Sequence, residues 1–265
     1  MKNIWVTGER GYIAYLLEKN LDVKVVNSIN NTELDYFRQT RDELNNEIDI
    51  FDPTLYVMME RNDVDLIVNA ATCRTFDKPD NILRCHIEGT YYVMKAAKEL
   101  NIPMINILEY TDDPDVYKTK TFGAGLTQTY YDKCYNIYID QLFGIHNFNR
   151  NINKLVNDNE KDIYVNIDKN NKYLCDFYFT EFMSTYIEGD HFYKNALVNG
   201  AYKKFSDIID MFSETSTLKD FNIIDDFDDS YDQWLPYSAY DYINDDYSGI
   251  DITEILGTIR DNGND

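Results

Sequence analysis

The chain has 265 residues, enough to bury the core of one large domain carrying a smaller appendage. Its formal net charge is −22, which excludes a nucleic-acid partner or an anionic membrane surface, since both call for clustered Lys and Arg. The four cysteines, Cys73, Cys85, Cys134 and Cys175, stand apart with no C-x-x-C pair, so neither a zinc knuckle nor a disulfide framework is signalled and no metal is expected.

In chain order, Ile4 and Val6 open a short apolar strand, Thr7-Gly8 breaks it, and Tyr12-Ile13-Ala14 with Leu16-Leu17 then recur at helical spacing. Gly8, Gly11 and Ala14 stand at G-x-x-G-x-x-A. The first position needs a turn without a Cβ, the second lets the backbone approach a pyrophosphate, and the third needs a small side chain where helix packs on strand. A phosphate sits on such a helix N-terminus because its N–H groups and dipole favour an anion. Val23–Ser28 reads as a second parallel strand. An acid near the end of that strand holds the adenosine ribose in dinucleotide folds; Asn27 and Ser28 stand there instead, which leaves NAD and NADP both open.

Glu47–Asp52 predicts a third short strand, Thr54–Arg61 a helix after Pro53, and Asp63–Ala71 an apolar strand ending in small residues that leave room for a ligand against the backbone. Ile82–Leu100 reads as a long amphipathic helix with Gly89-Thr90 inside it, and Asn101–Leu108 returns as a buried strand. Strands alternating with helices make an open parallel sheet with ligands at the strands' C-terminal edge. Met1 leads straight into the first strand without a signal sequence, and no apolar run approaches the ~20 residues that span a bilayer, so the expectation is a cytoplasmic protein with no membrane partner. The late acidic runs, Asp225–Asp229 and Asp245-Asp246, read as solvated surface, and calcium-loop spacing is absent from them.

Five motifs, T-G-x-x-G-x-x-A at Thr7–Ala14, Asp49-Ile50, Asn69-Ala70-Ala71, Glu88-Gly89-Thr90 and Asn101-Ile102-Pro103, together resemble the extended short-chain dehydrogenase/reductase family. Within it the sugar-nucleotide reductases, epimerases and dehydratases, including the dTDP-4-dehydrorhamnose reductase group, are most similar. The resemblance implies an α/β, Rossmann-type doubly wound parallel sheet with a small C-terminal substrate-side lobe. An NAD(P)-binding domain would occupy 1–145, and 146–265 would hold the remaining sheet elements, the lobe and an acidic tail. It implies NAD or NADP held by Thr7, Gly8, Arg10, Gly11, Tyr12 and Ile13 of the turn, by Asn27, by Asp49 and Ile50, and by Asn69, Ala70, Ala71 and Lys120.

Members of this family use a Tyr and a Lys spaced Y-x-x-x-K, a Ser or Thr upstream and an Asn on the long helix. A lysine cation and the nicotinamide lower the tyrosine pKa, so that it passes a proton while hydride moves. Here Tyr117-Lys118-Thr119-Lys120 is one residue too close. If Lys120 takes the family lysine position, Val116 takes that of the tyrosine; otherwise Tyr117 and Lys120 pair at i and i+3 on one helix face. Thr111 is the nearby hydroxyl after the strand ending at Leu108, and His86 stands where the helix asparagine belongs. The catalytic candidates are therefore Tyr117, Lys120 and Thr111. The displaced positions equally admit a catalytically silent relative that keeps the nucleotide-binding fold as a binding or structural module. Taken alone, His86 reads as a surface or hydrogen-bonded core residue, and Tyr130, Tyr131 and Tyr135 as packing.

Later matches are shorter. Ile137-Tyr138-Ile139 with Gly144 resembles the sixth strand, Asp176 through Glu181 the segment entering the substrate domain, and Val198-Asn199-Gly200 with Ser206–Ile209 a late strand and a helix capped by Ser206. Arg150, Lys154, Lys203 and Lys204 are the cations at hand for the diphosphate of a nucleotide-sugar substrate. By analogy with the family, residues 90–100 and 121–133 would pair two copies as a homodimer.

Overall fold

The computed structural model describes residues 1–8, 11–26, 55–72, 79–110, 114–144, 162–164, 170–189, 192–204, 206–207, 222–224, 240–244 and 246–247. The sequence-predicted strand Glu47–Asp52 and the site candidates Arg10, Asn27, Asp49, Ile50 and Thr111 lie outside the described residues. Two compact units are formed, one of Met1–Tyr138 with Phe182–Ala196 and the other of Ile139–Glu181 with Leu197–Asp265.

In the first unit β1 (Lys2–Thr7) runs into the glycine turn and α1 (Tyr12–Asn20), and β2 (Val23–Val25) pairs parallel to β1. α2 (Leu55–Arg61) precedes β3 (Leu66–Asn69), which pairs parallel to the other side of β1. From β1 the chain goes one way to the edge strand β2 and returns across β1 to β3. The direction of winding reverses between the C-terminal ends of β1 and β3, the switch point at which open α/β sheets form their ligand crevice. α3 (Pro79–Leu83), a π-helical segment (Arg84–Gly89) and α4 (Thr90–Leu100) follow end to end. β4 (Met104–Glu109) then pairs parallel to β3, and α5 (Pro114–Tyr130) leads to β5 (Cys134–Ile139).

The helix expected from Ile82 starts at Pro79, and its middle is wound with one more residue per hydrogen-bonded ring than an α-helix. That changes which way side chains point on either side of it. α4 ends on Asn101 in the left-handed conformation, φ 57°, whose N–H bonds the carbonyls of Ala97 and Lys98.

One face of the sheet is built in two rows. Register pairs Trp5 with Ile67 and Ile67 with Met104, and this apolar row packs with Cys134 against Met59 of α2 and Val93, Met94 and Ala97 of α4. Two residues further along each strand, on the same face, stand Thr7, Asn69, Asn106 and Asn136, all buried. Their amides link up. Thr7 donates to Asn69 Oδ1 at 2.5 Å, Asn69 Nδ2 to Asn106 Oδ1 at 2.9 Å, and Asn106 Nδ2 to Asn136 Oδ1 at 3.0 Å. Thr90 of α4 and Thr127 of α5 accept second bonds from Asn69 and Asn106, each at 3.3 Å.

The second unit contains β6 (Gln141–Phe143), β7 (Asp162–Tyr164), β8 (Asn170–Cys175), the start of α6 (Asp176–Glu188), the end of β9 (Asn195–Val198), β10 (Ala201–Lys204), β11 (Asn222–Ile224) and β12 (Tyr242–Asn244). Among the described residues the main sheet has seven strands in the order β12-β9-β5-β4-β3-β1-β2, a doubly wound α/β architecture, and a three-stranded sheet runs β10-β8-β6. The buried Asp140 carboxylate accepts the Gly200 N–H at 2.6 Å, and a Cβ on Gly200 would lie 2.1 Å from the Tyr173 carbonyl oxygen, so only glycine fits this crossing. Ser206 and Asp207 are themselves helical, so Ser206 lies inside the turn it was expected to cap. No helix among the described residues is long and apolar enough to cross a membrane.

Candidate cofactor and catalytic site

The glycine turn is shaped by what a side chain would strike. Gly8 has φ +74°, and a Cβ there would stand 3.2 Å from Ala71 Cα and 3.3 Å from the Ala70 carbonyl. Both the left-handed backbone and the close neighbour select glycine. Gly11 donates to the Gly8 carbonyl at 2.7 Å, and a Cβ on it would lie 2.9 Å from that oxygen. Gly11 is also the N-cap of α1. No side chain caps this end and no acid lies in its first turn, so the N-terminal N–H groups and dipole of α1, whose first residues are Tyr12 and Ile13, present a positive end at the crevice. This cradle fits the pyrophosphate of a dinucleotide.

Opposite the turn stands the end of β3. Thr7 Oγ1 donates to Asn69 and accepts the Ala71 N–H at 3.3 Å. The Thr7 and Asn69 side chains are thus turned into the sheet, where they hold the edge, while Ala70 and Ala71 form its wall against Gly8.

α5 carries the remaining candidates. Val116 is buried and packs with Ile82 and half-buried Cys85, so it belongs to the core. The Tyr117 ring lies 6.1 Å from that of Tyr110 at the end of β4, and its phenol also acts on Tyr138 of β5. Tyr117 thus stands beside Tyr110, while its neighbour Val116 faces the core. Lys120 is half-buried one turn further along α5. Burial pushes the Tyr117 phenol above its ordinary 10.0; the Thr121 hydroxyl works against this and Tyr110 adds to it. Tyr138 is driven to about 12, mainly by burial. These tyrosines are protonated at neutral pH.

His86 was not among the catalytic or cofactor candidates, and it lies between the end of β3 and α5. It is buried within the π-helical segment, with Nδ1 2.8 Å from Thr119 Oγ1 on α5 and Nε2 3.3 Å from Thr72 Oγ1 just after β3. The His86 carbonyl also meets α5, since a Cβ on Gly123 would lie 2.0 Å from it. The sequence signals were the asparagines interrupting the apolar strands LIVN, MINIL and CYNIYI, which form the amide row, and the glycine four residues after Thr119 on one helix face. Among the described residues, no group of three or more His, Cys, Asp or Glu side chains is placed to hold a metal.

Comparison with solved structures agrees with this architecture. The chain is similar to a hypothetical dTDP-4-dehydrorhamnose reductase from Sulfolobus tokodaii, with TM-score 0.64 and 14% identity over 95% of this chain and 98% of that one. It is similar to the dTDP-glucose 4,6-dehydratase of Bacillus anthracis in complex with NAD, with TM-score 0.67 and 12% identity over 98% and 96% of the two chains. It is also similar to the dTDP-4-dehydrorhamnose reductase of Bacillus anthracis in complex with NADP, with TM-score 0.65 and 12% identity over 84% of each. No protein-family model matches the chain, and no curated protein matches it in sequence. The fold, a Rossmann-type doubly wound α/β sheet, is the one these reductases and the dehydratase share.

Proposed function

We propose that the chain binds NAD or NADP in the β1–β3 crevice and acts as an oxidoreductase or epimerase on a nucleotide-sugar in the cytoplasm. The observation that carries this is Gly8, whose positive φ and blocked Cβ position keep the turn open for a pyrophosphate where α1 presents its positive end. Gly8, Gly11 and the Ala70-Ala71 edge hold the dinucleotide, and Thr7 and Asn69 fix that edge from behind. The nicotinamide, when bound, supplies or accepts the hydride.

Tyr117 is the proton donor. A phenol raised by burial keeps its proton at neutral pH and suits protonation of a carbonyl oxygen, the reductive direction. Lys120, one turn on, lies on the same helix face and orients the ribose and the phenol. Two copies pairing through α4 and α5 would cover Tyr91, Tyr92, Phe122 and Tyr130, which are exposed. Light scattering reads out that dimer.

A second reading rests on the same phenol. Burial, Thr121 and Tyr110 set the Tyr117 pKa, and their net effect is opposite to that of the lysine-lowered tyrosine of an active family member. In this reading the protein binds the nucleotide without turnover. Calorimetric titration with NAD(H) and NADP(H) comes first; micromolar binding, about −8 kcal/mol, supports the shared part of both readings and no binding rejects it. Turnover of a nucleotide-sugar that Tyr117→Phe abolishes then supports the enzyme. Turnover that survives the substitution removes Tyr117 from its role.

A further inference from the structure

We infer that His86 is a positioning residue that ties the nucleotide-binding edge after β3 to α5, so that occupancy of one orders the other; this rests on the nucleotide reading above. Three observations carry it. First, Thr119 Oγ1 lies 3.1 Å from the Val116 carbonyl oxygen and 2.8 Å from His86 Nδ1; with the hydroxyl proton on Val116, the ring donates to Thr119 from Nδ1. Nε2 is then the acceptor and Thr72 the donor. The imidazole therefore joins two hydroxyls in a fixed direction, one at the edge beside Ala71 and one within a turn of Tyr117 and Lys120.

Second, His86 sits in the π-helical segment, where widened winding places a side chain that regular α-helical phase would turn elsewhere. Third, the His86 backbone meets α5 so closely that only glycine is accommodated at position 123. The segment and α5 are thus in close backbone contact, whereas His86 reaches the β3 edge through the exposed Thr72 hydroxyl at 3.3 Å. The Thr72–His86 bond is the adjustable member of the chain. A dinucleotide lying along Ala70 and Ala71 settles Thr72, Thr72 settles the ring, and the ring holds the first turns of α5.

Hydrogen–deuterium exchange of the full-length protein, with and without saturating NAD(H) or NADP(H), tests this. In the wild type the nucleotide slows exchange in peptides covering 66–72 and, by roughly tenfold or more, in those covering 116–123. His86→Asn retains a donor at the Nδ1 position and cannot reach Thr72. Thr72→Val removes the hydroxyl at the other end from an exposed position, where folding is least at risk. In both variants slowing persists at 66–72 and falls several-fold at 116–123, leaving the share that Lys120 supplies at the ribose, and in His86→Gln, which reaches toward Thr72, part of it returns. Slowing at 66–72 alone in the wild type, or undiminished slowing at 116–123 in Thr72→Val, overturns the coupling and leaves nucleotide binding standing. No slowing at either segment in the wild type overturns both.

Discussion

The glycine turn follows β1 and the start of α5 follows β4 at the same edge of the parallel sheet, and the two are built by opposite rules. At the turn, Gly8 and Gly11 are fixed by what they lack: each Cβ position is closed by nearby backbone, so the shape is dictated residue by residue. On α5, Tyr117 and Lys120 are fixed by what surrounds them, a ring from Tyr110, a hydroxyl from Thr121 and the contact through His86. A backbone-made site is legible in spacing because only one residue type fits. A site made by neighbours tolerates a shift of one residue, and the spacing of Tyr117 and Lys120 is one short of Y-x-x-x-K.

Substitutions that break the shared support beneath both regions have the largest effect. Asn106→Leu leaves the Asn69 amide, the Asn136 carbonyl and Thr127 without their partner in the buried row, and costs about 3–5 kcal/mol in urea unfolding. Gly123→Ala strikes the His86 carbonyl, forces α5 off the π-helical segment and costs about 2–3 kcal/mol. It separates the regions, since nucleotide affinity falls far less than thermal stability. Gly8→Ala does the reverse. Its left-handed backbone costs about 1–2 kcal/mol, while calorimetric affinity for the nucleotide falls about tenfold or more.

Alkaline titration sharpens the contrast from the protein's interior. Burial holds the Cys134 thiol at about 11, the Cys175 thiol at about 12 and the Tyr138 phenol at about 12, all above their ordinary 9.0 or 10.0. The folded chain keeps these protons where the unfolded chain has lost them, so their contribution to stability is full below pH 9 and declines as pH rises toward 12. Unfolding midpoints measured from pH 8 to 11 should fall steadily, and Cys134→Ser should flatten part of that slope. The smallest effect on stability belongs to Tyr117→Phe, within about 0.5 kcal/mol, because the ring packing stays. Whatever it changes in turnover is then chemistry.

The parallel sheet, its first helix and the glycine turn were legible in the sequence because they rest on local pattern: apolar runs, period, and glycines with no substitute. Two features were not. The π-helical segment leaves no mark in hydrophobic period, and the extra residue it absorbs changes the face on which His86 falls. The amide row depends on register between strands far apart in sequence, with Thr7 facing Asn69 and Asn69 facing Asn106. Each asparagine taken singly reads as an interruption of its strand. Only when the strands are laid side by side do the interruptions align.

That alignment bears on how the sheet assembles. Parallel strands separated by whole helices find one another slowly, and apolar runs such as LIVN and MINIL pair almost as well one step out of place as in place. Side chains alternate, so one step of slip turns an asparagine to the opposite face and sets an isoleucine against its former partner. The stranded amide then costs about 1–3 kcal/mol at each strand that slips. The polar row thus acts as a proofreading mark on strand pairing, rejecting offsets that hydrophobic burial alone would accept.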